Sequence, residues 1–105
     1  MARFDVYQNK NVASSKRFPY LLAVQSDLLD ALNTCVVVPL GKASAVGGKP
    51  MATLMPGVEV NGASWTMYTP ALAAIPARTL GKPVDNVAVQ RDAIQNALDF
   101  LFSGI

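Results

Sequence analysis

Apolar and polar positions alternate through "RFDVYQ", with Phe4 and Val6 on one side and Arg3, Asp5 and Tyr7 on the other. A period of two predicts a strand with one buried face. The small, polar stretch "NKNVASSKRFP" predicts a long loop, and "YLLAVQ", apolar almost throughout, predicts a second strand in a central position. In "SDLLDALNT", Ser26 can accept from the amides that follow it, and Asp27 stands where a first-turn negative charge is favourable, so a turn or short helical segment is expected. "CVVVP" is the strongest strand of the chain, three β-branched valines closed by Pro39.

Beyond that strand, "GKASAVGGKP" from Gly41 to Pro50 has the composition of a loop. "GVEVNGASWTMY" predicts a hairpin, because Asn61 and Gly62 supply the positive backbone angles of a tight turn. "TPALAAIP" opens on a Thr-Pro helix start and stops at Pro76, leaving room for at most two helical turns. "ARTL" reads as a short strand and "GKPVDN" as a loop. Asn86 or Asp85 can cap a last helix reaching about Phe102. At ~100° per residue, Val87, Ile94, Leu98, Leu101 and Ile105 lie within about 40° of one line. Asn96, Asp99 and Ser103 occupy the opposite face, so the first set forms the core stripe. The predicted architecture is mainly β, of the α+β class. One antiparallel sheet of five or more strands carries a hairpin and one C-terminal helix, as a single domain over residues 1–105.

Composition sharpens this picture in one respect. Hydrophobic types make up 51% of the 105 residues and charged types only 15%, against about 25% charged in an average domain. So little charge covers a small sphere poorly, which points to a second copy and a homodimer. A net charge of +2 is too small to argue for direct nucleic-acid binding. No run approaches the ~20 apolar residues of a membrane span. "MARFDVYQNK" has no apolar leader core, and a cytoplasmic location is expected.

Chemistry is sparse. The chain has no histidine and one cysteine, so no zinc site, internal disulfide or cofactor is expected. The carboxylates are scattered, and Cys35 sits among valines with no basic neighbour to activate it. Lys10, Lys16 and Arg17 form a small basic group in the first loop, either ordinary solvated charge or a dock for an acidic partner segment. Trp65 is expected to pack an apolar face. These features describe a binding module better than an enzyme.

"VQSDLLD" (24–30), "VVVPL" (36–40), "SWTM" (64–67), Ile75-Pro76 and the closing "IQNALDFLFSGI" (94–105), taken in order, resemble the CcdB family of toxins from type II toxin–antitoxin pairs. The resemblance implies an SH3-like barrel or open sheet with a C-terminal helix, shared with the MazF and Kid ribonucleases. It implies a homodimer that binds the DNA gyrase A subunit and traps the complex in which DNA is cleaved. It implies a CcdA-like antitoxin that blocks the toxin and with it represses their operon. Carried over residue by residue, the gyrase-binding positions are Leu28, Leu29, Asp99, Phe102, Ser103, Gly104 and Ile105. Lys10, Lys16 and Arg17 are the candidates for antitoxin contact. The best-known members carry a tryptophan where this chain has Ser103, and serine cannot stack on a cation as tryptophan does. Two alternatives stand beside this one. The first is an endoribonuclease on the related fold, using Arg17 with Asp27. The second is a non-toxic homologue that keeps antitoxin binding.

Overall fold

The computed structural model describes residues 2–43 and 49–104. Its strands are Asp5–Gln8 (β1), Tyr20–Ala23 (β2), Thr34–Gly41 (β3), Gly57–Val60 (β4), Ala63–Met67 (β5), Ala73–Pro76 (β6) and Asp85–Asn86 (β7). Two helices, Lys49–Leu54 (α1) and Arg91–Ser103 (α2), complete it. Every pairing is antiparallel, in the order β4-β5-β3-β2-β1-β7, with β6 also on β3.

β3 organises the sheet because it serves three partners. One edge pairs with β2 from Val37 to Leu40. The other is divided between β6, along Thr34–Val37, and β5, at Leu40 and Gly41. The predicted stop at Pro39 is therefore not a stop. Val24 donates to the carbonyl of Val36 across 3.1 Å, and hydrogen-bonded pairs alternate along an antiparallel ladder. The nitrogens of Val37, Pro39 and Gly41 consequently face away from β2. Pro39 falls in the gap between β6 and β5, where its missing N–H costs no ladder bond, and its carbonyl accepts from Tyr68 N at 3.0 Å.

The main core lies on one face, where Val6, Leu22, Val38, Leu40, Val58 and Met67 pack with Ile94, Ala97 and Leu98 of α2. A second, smaller core lies on the other face, where Tyr7, Ala23, Cys35 and Val37 are covered by Ala77 and Leu80. β1 is thus buried on both faces instead of the one that its alternation predicts, and even Asp5 is buried. Its carboxylate accepts from Ala2 N (3.0 Å), the Asn86 amide (2.8 Å) and Tyr7 Oη (3.4 Å).

Local signals were overridden in three further places. Helix character in "TPALAAIP" is confined to one 3-10 turn, Thr69–Ala71, and Ala73–Pro76 pairs with β3 as a strand. "ARTL" is a 3-10 turn, Ala77–Thr79, not a strand. The loop expected from Gly41 to Pro50 begins within β3 and ends within α1, while its residues 44–48 lie outside the described residues. The hairpin is as predicted: Asn61 and Gly62 take φ of 49° and 84° between β4 and β5. Trp65 packs its ring edge-to-face with Tyr20, centroids 5.3 Å apart.

Side chains bring the two ends of the sheet together into a nearly closed barrel. The Gln90 amide accepts from Glu59 N (2.9 Å) and donates to Glu59 O (3.0 Å), as a neighbouring strand would. Asp85 accepts from Asn61 N at 2.9 Å.

Replacing Gln90 by alanine leaves the β4 edge without that partner. We expect a loss of about 0.5–1.5 kcal/mol in urea unfolding, and an unchanged midpoint would show that the seam contributes nothing. Tyr7 gives a pH test. Burial, then the charge and hydrogen bond of Asp5, push its phenol up to about 12. The neutral phenol is the form the fold favours, so this contribution is complete below pH 10 and is lost as pH rises from 10 to 12. The 295 nm absorbance difference between the native protein and Tyr7→Phe should rise near pH 12; a rise centred at pH 10 would contradict the burial.

Candidate functional site

The last helix is set by its neighbours more than by a cap of its own. Asn86 Oδ1 accepts from Ala88 N (3.0 Å), which starts a 3-10 turn, Ala88–Gln90, that runs into α2. Asn86 thus stands one residue before the cap position, Val87, and does not cap the helix proper, while Asp85 is committed to Asn61 N and Asn86 N. Asp92 lies in the first turn of α2, where negative charge is favourable. The helix ends at Gly104, whose φ of 74° closes a left-handed cap with its N–H on Phe100 O at 2.9 Å. As the stripe predicts, Val87, Ile94 and Leu98 are buried, Leu101 is half-buried, and Asn96, Asp99 and Ser103 face solvent.

A second segment approaches this helix. Ser26 Oγ accepts from Leu28 N (3.2 Å) and caps the 3-10 turn Asp27–Leu29. This leaves Leu28 93% exposed, with Leu29 and Leu32 about half exposed. Arg3 joins the two segments. Its backbone N–H donates to the Asp27 carboxylate, its Nε to Val24 O (3.0 Å) and its Nη2 to Gln95 Oε1 (2.7 Å). Gln95 Nε2 passes the chain of hydrogen bonds on to Asp99 Oδ1 at 3.0 Å. Gln95, Asp99 and Phe102 are spaced i, i+4, i+7 on α2, so they share one face, and Phe102 ends that face 72% exposed.

The backbone is strained where Arg3 is positioned. Asp5 N donates to Ala2 O (3.1 Å), and Phe4 takes φ 71° at the third position of that turn, a place glycine usually fills. Phe4 remains there because its N–H donates to Ala23 O (2.8 Å) and its ring is buried in the main core. The Arg3 guanidinium lies 4.6 Å over that ring.

The predicted positions therefore separate as follows. Leu28 and Leu29 stand on the turn, and Asp99, Phe102, Ser103 and Gly104 on the exposed side and end of α2. Arg3 and Gln95 tie the turn to the helix, while Ile105 lies outside the described residues. Arg3, Asp27 and Gln95 were not legible as one unit, since nothing local marks residues 3, 27 and 95 as neighbours. Leu32 could have been found from its apolar type within a polar turn.

The basic loop, residues 9–19, is built tightly against the other sheet face. Asn9 Nδ2 donates to Ser14 Oγ (3.0 Å) and Phe18 O (2.8 Å), and Asn9 Oδ1 accepts from Asn11 N (3.0 Å). Gly41 admits the loop: a Cβ there would stand 2.8 Å from Arg17 O and 3.0 Å from the Phe18 ring. Between this loop and β6 runs a groove of about 630 Å³, with Lys10 on its wall. Lys16 is exposed, and the Arg17 guanidinium lies 5.0 Å over the Phe18 ring.

Among the described residues, Tyr7, Asp5, Cys35 and Asp30 lie within electrostatic reach of one another, and the effect is to hold Tyr7 and Cys35 in their protonated forms. Burial, then the charge of Asp30, raises the pKa of Cys35, which keeps it a thiol. Arg17 sits beside Gly41 at one end of β3, whereas Asp27 lies on the turn that Gln25 ties to Thr34 at the other end. An eight-residue strand spans roughly 20 Å or more, so the Arg17–Asp27 pair required by the ribonuclease alternative does not form. Among the described residues no group of three or more His, Cys, Asp or Glu could hold a metal ion, and no helix is long and apolar enough to cross a membrane.

Solved structures share this architecture. An endoribonuclease in complex with its cognate antitoxin, from mycobacterial species, matches with a TM-score of 0.75 at 13% identity, over 97% of this chain and 94% of that one. An endoribonuclease from mycobacterial species matches with a TM-score of 0.74 at 13% identity, over 97% and 90%. Mycobacterium tuberculosis toxin MazF-mt6 matches with a TM-score of 0.64 at 18% identity, over 93% of both chains. At these identities the likeness is one of fold. A family model described as CcdB protein matches residues 3–104. The chain belongs to the CcdB family of toxins.

Proposed function

We propose that this chain is the toxin of a type II toxin–antitoxin pair, a homodimer that binds the DNA gyrase A subunit and traps the gyrase–cleaved DNA complex without bond-making of its own. The observation that carries the reading is the exposed apolar surface at the end of α2. Phe102 and Leu28 are 72% and 93% exposed, on two segments that Arg3 holds together. Burying such a side chain in a partner contributes about 1.5–3 kcal/mol, whereas in water it contributes nothing. A two-fold axis beside α2 would place two such ends together as one patch. Asp99, Ser103, Gly104 and Ile105 belong to the same contact, and Gly104 lets a partner's backbone approach closely.

A CcdA-like antitoxin neutralises the toxin and joins it in repressing their operon. Lys10, Lys16 and Arg17 are the basic residues offered to its acidic segment. The single free thiol, Cys35, suits the reducing cytoplasm in which gyrase works.

Purified gyrase with supercoiled DNA tests the mechanism. The protein should leave linear DNA covalently attached to gyrase after denaturation, and should leave bulk RNA intact. Absence of cleaved DNA would remove the mechanism, and RNA cleavage would return the ribonuclease reading. Phe102→Ala should weaken poisoning roughly 10- to 150-fold with thermal stability unchanged, the equivalent of 1.5–3 kcal/mol of lost burial. Ser103→Trp should strengthen it roughly 2- to 30-fold if a cation on the target meets that position. Light scattering at micromolar concentration should give the mass of two chains, and a monomer would contradict the dimer.

A further inference from the structure

Residues 24–33 join β2 to β3 and carry the exposed Leu28. The register that pairs Leu22 with Val38 sets Val24 opposite Val36, and such a pair in an antiparallel ladder exchanges two hydrogen bonds. Here only one of the two is made. Val24 N donates to Val36 O at 3.1 Å, but Val36 N turns to the Gln25 side chain and donates to Oε1 at 3.1 Å. The Val24 carbonyl, released from the ladder, accepts from Arg3 Nε at 3.0 Å.

The Gln25 carboxamide thus takes the place of backbone. Its Nε2 donates to Thr34 O (3.1 Å), so one amide both accepts from β3 and donates to it, as a neighbouring strand would. The same Nε2 donates to Leu29 O (3.3 Å), which ties the Leu28 turn to the start of β3. Both of its hydrogens are then in use. The partners dictate the orientation of this amide. Turned over, it would set its oxygen against two carbonyls and its nitrogen against the Val36 N–H.

We propose that Gln25 is a positioning residue for the surface at the α2 end, acting through Arg3. By accepting from Val36 N, Gln25 leaves the Val24 carbonyl to Arg3 Nε. The guanidinium, anchored there, reaches Gln95 on α2, while the backbone N–H of the same residue holds Asp27 on the turn. Without Gln25, Val36 N would take the Val24 carbonyl as its ladder partner, and Arg3 Nε would lose its acceptor. A surface already held in its binding shape loses less freedom when a partner arrives, so Gln25 strengthens binding with no contact of its own. The proposal deepens the gyrase reading and rests on it for the effect on poisoning, though not for the exchange of hydrogen bonds.

NMR of the native protein tests the exchange directly. Couplings across hydrogen bonds should link Val36 N–H to the Gln25 side-chain carbonyl and Arg3 Nε–H to the Val24 carbonyl. A coupling from Val36 N–H to the Val24 carbonyl, or none to Gln25, overturns the proposal. Gln25→Met removes the amide at nearly the same length. Arg3 Nε–H should then exchange with water about tenfold faster, and gyrase poisoning should weaken roughly tenfold. Gln25→Glu keeps an oxygen for Val36 N, so Arg3 Nε–H should retain its native exchange rate. Arg3 exchange unmoved by Gln25→Met, or accelerated equally by both substitutions, contradicts a route through Val36. Arg3→Met should weaken poisoning as much alone as together with Gln25→Met, because both act through one guanidinium; losses that multiply would show that Gln25 works by another route. A native chain that shows both couplings but fails to poison gyrase would keep the Gln25 exchange and lose only the gyrase reading.

Discussion

The ladder between β2 and β3 is the interaction on which the rest of the molecule depends. Like β1 beside it, this ladder has packed side chains on both faces: Leu22, Val38 and Leu40 toward α2, Ala23, Cys35 and Val37 toward the turn that ends at Leu80. Apolar residues there lose water on either side, so hydrophobic burial and backbone pairing reinforce each other. From this centre the chain reaches outward in two directions. One face receives the helix that presents Phe102, and the other receives the basic loop and its groove. The central ladder therefore sets where the two candidate surfaces stand.

Much of this was legible in the sequence, for identifiable reasons. The valine run of β3, the Asn-Gly hairpin and the apolar stripe of the last helix are strong local signals, and tertiary packing agrees with all of them. The failures occur where local and tertiary preferences disagree. Ala73 and Ala74 favour helix on their own, but the free edge of β3 offers hydrogen bonds that a two-turn helix could not match, and the segment becomes β6. Pro39 reads as a strand end until one knows that β3 changes partners at that point. The helix α1 hid behind Gly, Lys and Pro, although proline is well tolerated in a first helical turn.

The candidate site was half legible. The exposed residues of the helix end could be assigned from the stripe, because their solvent-facing side is a matter of angle. What joins them to the Leu28 turn could not. An arginine reaching Val24, Asp27 and Gln95 at once is a property of the folded chain, made possible by a phenylalanine in a backbone conformation its sequence does not advertise. The groove was invisible for a related reason. Its wall is basic and polar, like any solvated loop, and only the opening under Asn9 and over Ile75 distinguishes it.

The carboxamide that shuts the β4 border has a consequence for how the protein behaves in a crowd. An open strand border is a template on which like molecules stack, and a chain this poor in charge has little repulsion to prevent it. By giving Glu59 a partner from within, Gln90 leaves that template occupied. A second copy of the chain that meets this border finds its hydrogen-bonding groups at Glu59 already taken.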